Sequence, residues 1–204
     1  MIHLSFKIIA KISLILLMML SGGRAMADEG PRYQTLDIAA SLAAEKIELR
    51  LYEQAHIAIV KVDSRNWRGA ANAAFQPLAN YIFGANERGE RIGMTSPVTT
   101  HKQDELWEVR FFMPNHYDKD DLPDPQSPYV EITTMDAAQF AVIRFNGPAN
   151  GAGATANFAK HETKLRAALE EHNLPHDGAA HYAVYNGPWT PNMMRRNEVL
   201  IELF

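Results

Sequence analysis

The order of predicted elements is the feature that most constrains the fold, because the same series occurs twice along the chain. Each half contains two strand-like segments, a helix and two further strand-like segments. The strand segments alternate apolar and polar residues or are rich in β-branched and aromatic residues. In the first half they are residues 47–52, 56–63, 98–102 and 106–113, around a helix at 67–83; in the second half they are 129–135, 140–147, 181–187 and 197–203, around a helix at 157–173.

Short turns between neighbouring strands imply antiparallel pairing, and two helices can cover one face of such a sheet. The sequence therefore predicts an α+β fold. It consists of a duplicated ββαββ unit forming a distorted antiparallel β-barrel of about eight strands with two helices. We expect one such domain over residues 47–204, preceded by a lead-in segment at 28–46.

The first 27 residues have the pattern of an export signal. Lys7 and Lys11 precede an apolar stretch at 12–20, and Ala25 and Ala27 provide the small residues that signal peptidase recognises. We therefore expect cleavage after Ala27 and a periplasmic or secreted protein without stable membrane insertion. Retention of this segment as an anchor is the alternative, although the apolar stretch is short for a membrane span.

The charge balance of the expected mature chain argues against a polyanionic partner. Removal of Lys7, Lys11 and Arg24 leaves 17 basic against 24 acidic residues, a net charge of −7 with neutral histidines. We therefore expect neither nucleic acid nor an anionic membrane surface as partner. The chain contains no cysteine, which excludes disulfides, cysteine nucleophiles and thiolate metal ligands.

The first helix is unusual because residues 69–86 include no charged side chain. At helical spacing its apolar residues form two stripes, about a third of a turn apart. Two interpretations remain open: both stripes are buried, or one stripe forms the wall of an apolar ligand site. The first stripe is Ala71, Ala74, Leu78 and Ile82, and the second is Phe75, Ala79 and Phe83.

Metal-binding and catalytic patterns are weak. Among eight histidines, His56 and His101 lie in strand segments and are the candidates for a metal ligand, whereas Pro175 interrupts the spacing between His172 and His176. The chain has no nucleophile elbow, no His-Glu-x-x-His motif and no glycine-rich phosphate loop. We expect no enzymatic activity.

Six motifs in the same order resemble the SOUL haem-binding protein family. The most specific is YIFGANERGERIGMTSPV at residues 81–98, in which a helix end is followed by Ile-x-Met-Thr-x-Pro-Val. The others are RFFMP, LPDPQSP, VIRFNG, YNGPW and RRNEV, and together they extend over most of the expected mature chain. The resemblance implies a distorted antiparallel barrel with two helices, in agreement with the element order.

The resemblance also implies that haem or a related tetrapyrrole binds, without being a permanent cofactor, on an apolar surface beside the first helix. A hairpin at 182–194 would close the other side of this surface, and an arginine would face the propionates. The residues placed on the surface in this way are Asn72, Phe75, Ala79, Asn80 and Phe83 of the helix, Tyr182, Trp189 and Met193 of the hairpin, and Arg195.

Two other functions are compatible with the sequence. The duplicated fold also resembles GyrI-like domains, which bind lipophilic or cationic small molecules. A protein-interaction module, with the uncharged helix docked on a partner, is the other alternative. All three hypotheses attribute the function to the uncharged helix, and they differ in what covers it.

Overall fold

A computed structural model of the protein describes residues 30–37, 39–176 and 178–204. The expected export signal at residues 1–27 lies outside these residues and stays a prediction. Within the described part of the chain, no helix combines the length and apolarity needed to cross a membrane.

Among the described residues, three α-helices and nine strands alternate largely as the repeat predicts. The helices are α1 (Ala40–Ala44), α2 (Trp67–Ile82) and α3 (Ala154–Glu171). Two short 3₁₀ turns lie at Lys119–Asp121 and Asn192–Met194. The strands are β1 (Tyr33–Leu36), β2 (Ile47–Tyr52), β3 (Ala55–Val62), β4 (Val98–Gln103), β5 (Leu106–Phe112), β6 (Glu131–Met135), β7 (Ala138–Phe145), β8 (His181–Val184) and β9 (Asn197–Leu203).

All nine strands form one antiparallel sheet in the order β1-β2-β7-β9-β8-β4-β5-β3-β6. The two repeats are β2-β3-α2-β4-β5 and β6-β7-α3-β8-β9, and β4 of the first pairs with β8 of the second in the middle of the sheet. The first strand of each repeat pairs with the second strand of the other repeat, so that β2 lies beside β7 and β6 lies beside β3. This exchange of strands explains why the duplicated units form a single sheet. The predicted α+β fold is confirmed.

Both long helices pack on the same face of the sheet, because each presents an apolar stripe to it. Ala74, Leu78 and Ile82 of α2 are buried against β3 and β5, as the first stripe predicts. Phe158 and Leu165 of α3 are buried against β7 and β9. The ring centroids of Trp67 and Phe158 lie 4.5 Å apart, where the two helices touch. The two larger hydrophobic clusters therefore lie between the helices and the sheet, and two smaller ones lie on the opposite face of the sheet.

The structure differs from the predicted element bounds at both ends of α3 and in the lead-in segment. Helix α3 begins three residues before the predicted start because Gly153, with φ 91°, adopts the left-handed conformation that ends the preceding loop. In the lead-in, β1 adds an edge strand beside β2, and α1 places Leu42 in the core. The alternation in the lead-in is too short to be recognised as a strand.

Candidate functional site

A groove of about 380 Å³ lies beside the N-terminal half of α2. Helix α2 forms one wall, and the segment that leads into β4 forms the floor. The loop after β8 forms the far wall, together with the loop before α3. The lining residues are Trp67, Arg68, Ala71, Asn72, Phe75, Met94, Thr95, Ser96, Val98, Thr100, Ala149, Asn150, Val184, Tyr185, Asn186, Gly187, Pro188 and Arg195.

Helix α2 contributes residues from a single helical face, spaced at one turn. The helix begins after Asn66, whose side-chain Oδ1 accepts a hydrogen bond from the Gly69 backbone N–H at 2.9 Å. Phe75 is 43% exposed and its ring meets that of Phe111 edge-on, with centroids 5.5 Å apart. This wall is therefore apolar, partly open to solvent and supported by the core.

The floor depends on the motif at residues 81–98. Asn86 is fully buried and closes the loop after α2: its Nδ2 donates to the carbonyl oxygens of Tyr81 and Glu90, and its Oδ1 accepts from the Glu90 N–H. Thr95 is held by a 2.6 Å hydrogen bond from its Oγ1 to the Phe112 carbonyl oxygen. These bonds position Met94, Thr95 and Ser96 in the groove. The first part of the motif, around Asn86, therefore holds the loop in place, and the last part lines the groove.

Arg195 holds the far wall in place. Its guanidinium is buried and donates to the carbonyl oxygens of Pro188 at 2.6 Å and Thr190 at 2.7 Å, and to Asn150 Oδ1 at 2.9 Å. Asn146 donates to the Arg195 carbonyl oxygen, which ties the loop before α3 to the same region. Arg195 is therefore the positioning residue that joins the two loops of this wall.

The charges of the groove lining are all positive. Arg68 is half-buried and donates to the Gly151 carbonyl oxygen at 2.8 Å. The three acceptors of Arg195 are neutral, and no ion pair of Arg68 or Arg195 is found among the described residues. The lining contains no aspartate or glutamate. An apolar ligand that carries a carboxylate would supply the missing counter-charge.

The structure brings some of the predicted site residues to the groove and places others elsewhere. Asn72, Phe75 and Arg195 line it. Trp189 and Met193 come shortly after the far-wall residues in sequence and are 94% and 82% exposed. Six of the predicted residues lie outside the lining. Besides Trp189 and Met193, Ala79 is buried, Asn80 accepts a hydrogen bond from Gln76, Phe83 is exposed at the helix end, and Tyr182 is packed under the helices.

Tyr182 lies under the helices because residues alternate between the two faces of β8. Its ring contacts Trp67 and Phe158 in the core, and its hydroxyl donates to Glu162 Oε2 at 2.6 Å. Burial and this carboxylate raise the pKa of Tyr182 well above its ordinary value. Of the predicted hairpin, it is residues 184–188 that reach the groove.

The two histidines considered as metal ligands do not line the groove. His56 is half-buried beside Thr134, with 3.3 Å between its Nδ1 and the Thr134 Oγ1. His101 lies on the opposite face of the sheet, where its ring stacks on that of His181 with centroids 4.3 Å apart. Across the described residues, no group of three or more His, Asp or Glu side chains is arranged to hold a metal ion.

The face of the sheet opposite the helices contains a buried ionic network. The Arg50 guanidinium bonds both oxygens of Glu198, and Arg196 and the Tyr185 hydroxyl donate to the same carboxylate. Burial alone would raise the pKa of Glu198, but these donors, Arg50 first, hold it below its usual value. Burial raises the pKa of Tyr52, which accepts from Arg50, to about 12. Arg196 and Glu198, two residues apart at the start of β9, thus form an ion pair at 2.8 Å.

A larger depression of about 520 Å³ opens on this opposite face. Its lining is mainly polar and includes the first described residues, 30–33. The groove beside α2 combines a mainly apolar lining with two arginines, a combination typical of small-molecule sites. It is therefore the candidate functional site.

Comparison with known proteins identifies the family. A family model described as SOUL heme-binding protein matches residues 28–202. The match extends over most of the chain, and the protein therefore belongs to the SOUL family. Heme-binding protein 1 of Mus musculus is 29% identical over 163 residues, which cover 74% of this chain and 81% of the mouse protein.

Solved structures with the same fold come from proteins of different kinds. The EcmrR C-terminal domain superposes with a TM-score of 0.59 at 10% identity, over 84% of this chain and 98% of that domain. A hydrolase from Listeria innocua superposes with a TM-score of 0.53 at 12% identity, over 78% of this chain and 92% of the hydrolase. At these identities the similarity concerns the fold alone.

Proposed function

We propose that this protein binds haem or a related tetrapyrrole, reversibly, in the groove between α2 and the loop after β8. The observation that carries the proposal is a groove with a mainly apolar lining whose two charged side chains, Arg68 and Arg195, are both cationic. Tetrapyrroles such as haem combine a flat apolar ring with carboxylates at one edge. The heme-binding relatives support the same ligand class.

The charge of the lining distinguishes this proposal from the GyrI-like alternative. A lipophilic cation would meet two arginines and no carboxylate in the lining, so electrostatics oppose its binding. A carboxylate near Arg195 would instead meet a buried guanidinium whose present acceptors are all neutral. We therefore expect the site to select anionic over cationic apolar ligands.

Titration with haemin, followed by the change in Soret absorbance, tests the proposal. We expect saturable binding by the wild-type protein. Phe75→Asp should weaken it about tenfold or more, because a carboxylate would replace an apolar contact in the wall. Phe83→Asp is the matched control: Phe83 is an exposed aromatic residue of the same helical segment but does not line the groove. Equal weakening by both substitutions would contradict the assignment of the groove.

Ligand choice provides a second test on the unmodified protein. Protoporphyrin IX should raise the melting temperature more than its dimethyl ester, and tetraphenylphosphonium should not raise it. Stabilisation by the cation alone would overturn the proposal in favour of the GyrI-like alternative. Absence of any Soret change or stabilisation with tetrapyrroles would leave the proposal without support and favour the interaction module.

A further inference from the structure

Three segments around the groove contain no charged residue. They are residues 69–86 of α2 and its end, residues 146–159 before and within α3, and residues 185–194 after β8, and they are 18, 14 and 10 residues long. Charged residues make up 22% of the whole chain, so three uncharged segments of this length are unusual for its composition. The three segments are far apart in sequence, and the fold brings them together around one opening.

Large apolar side chains are exposed on two of these segments. Trp189, Met193 and Met194 are 94%, 82% and 69% exposed on the loop that forms the far wall, and Phe75 is 43% exposed on α2. The loop is not loosely held, because Arg195 bonds two of its carbonyl oxygens and Gly147 donates to the Asn192 carbonyl oxygen. We call these four exposed residues and the three uncharged segments the rim.

The chemistry of the rim matches a lipid bilayer interface. Exposed tryptophan is typical of the boundary between headgroups and hydrocarbon, where its ring is apolar and its N–H is wet. The polar side chains of the rim are mainly amides, such as Asn72, Asn80 and Asn192, which hydrogen-bond without carrying charge. The chain as a whole is negative, with 24 acidic against 20 basic residues, so anionic lipid would repel it.

We infer that the rim docks on an electrically neutral bilayer surface, so that the groove opens toward the membrane and exchanges its ligand with it. The inference rests on the proposed function in one respect: an apolar macrocycle partitions into membranes, so a groove that opens there would collect it. The occupant of the rim is a zwitterionic lipid surface, and contact is made by insertion of side chains and not by charge.

Quenching of tryptophan fluorescence by brominated phosphatidylcholine vesicles, with the full chain and no tetrapyrrole present, tests the inference. Trp67 is buried and Trp107 half-buried, so Trp189 is the exposed reporter. We expect quenching in the wild-type protein and its loss in Trp189→Phe. Met193→Glu should raise the lipid concentration for half-maximal quenching about tenfold, because a charge would have to enter the interface.

Tyr129→Glu is the matched control, since Tyr129 is 75% exposed but lies outside the rim. It should leave the quenching curve unchanged, and all variants share the same N-terminal segment, so differences between them report on the rim. Unquenched wild-type Trp189, or equal curves for both glutamate variants, would overturn the inference. Tighter binding to phosphatidylglycerol vesicles that is lost in salt would also overturn it, because contact would then depend on charge. A dimer that Met193→Glu dissociates would overturn it too, because the rim would then bind a second copy of the chain. The haemin titration is independent, so either proposal can fail alone.

Discussion

Glu198 shows at the residue scale how this fold keeps charge inside a sheet. Its carboxylate is fully buried and is bonded by Arg50, Arg196 and Tyr185. Arg50 is 2% exposed and has Glu48 as its other acidic partner, at 2.8 Å. A buried ion pair of this kind contributes little net stability when intact, but removal of one partner leaves the other charge uncompensated. The stability of the fold is therefore sensitive to substitution of either partner in this network.

Glu198→Gln should lower the free energy of unfolding by roughly 3–5 kcal/mol, because the amide cannot balance the charge of Arg50. Chemical denaturation at neutral pH measures this change. Glu202→Gln, an exposed acid on the same strand, should change stability by less than about 0.5 kcal/mol. A loss below about 1 kcal/mol in Glu198→Gln would mean that Glu48 compensates Arg50 alone.

At the scale of elements, the loop from α2 to β4 connects the uncharged helix to the groove floor. Gly84, with φ 112°, takes the left-handed conformation that ends the helix. Asn86 then fixes the turn through three side-chain hydrogen bonds, two of them to carbonyl oxygens. The positions of Met94–Ser96 in the groove floor depend on this turn. The residue that defines the loop is therefore not a lining residue.

Asn86→Ala should lower the free energy of unfolding by roughly 2–3 kcal/mol, since about 1 kcal/mol is lost for each buried hydrogen bond. It should also weaken ligand binding, because the floor would no longer be held. Asn80→Ala removes an exposed amide from α2 and should change stability by less than about 0.5 kcal/mol. Denaturation curves for the two variants make the comparison, and equal values would exclude a special role for Asn86.

At the scale of the whole molecule, the pairing of β4 with β8 forms a seam that joins the two repeats and also supplies part of the groove lining. Strands β4 and β8 pair over four positions, from Val98 with Val184 to His101 with His181. Val98 and Val184 face the groove, whereas the two stacked histidines lie on the other side. Arg110 Nη2 lies 3.2 Å from His101 Nε2, which is therefore the acceptor, and Glu108 faces the same site. Protonation there would add charge to a buried seam.

The protein should therefore lose stability as the pH falls from 7.5 to 5. Burial, with Arg110 next, lowers the pKa of His101 to about 3, and burial also lowers the pKa of His181. The unfolded chain, with histidine pKa near 6.5, binds protons that the folded chain excludes. The contribution of the neutral histidines to the free energy of unfolding is complete above about pH 6.5 and is lost as the pH falls below it. For His101 the loss at pH 5 is roughly 2 kcal/mol.

Melting temperatures measured across this pH range check the prediction. The double variant His101→Phe/His181→Phe should show a flatter profile between pH 7.5 and 5. His116→Gln removes an exposed histidine and should keep the wild-type profile. If the double variant followed the wild-type curve, the acid sensitivity would originate elsewhere.

The sequence predicted the fold more completely than the site. Strand and helix periodicity is local, so β2, β9 and α2 could be placed almost to the residue. Strand β1 could not, because four residues at a sheet edge carry too short a pattern. In the site, Phe75 follows from the second apolar stripe of α2 and Asn72 from the family resemblance. Ala149 and Val184 join them only because the fold brings together segments that are distant in sequence.

The sequence by itself determined the order of elements, the apolar stripes of the helices and the absence of charge from residues 69–86. The tertiary structure decided which residues meet. It turned Tyr182 toward the core, engaged Arg195 with the carbonyl oxygens of the far wall, and placed His101 across the sheet from the groove. The physical reason is that side-chain direction in a strand depends on register with its neighbours, and register is set by partners remote in sequence.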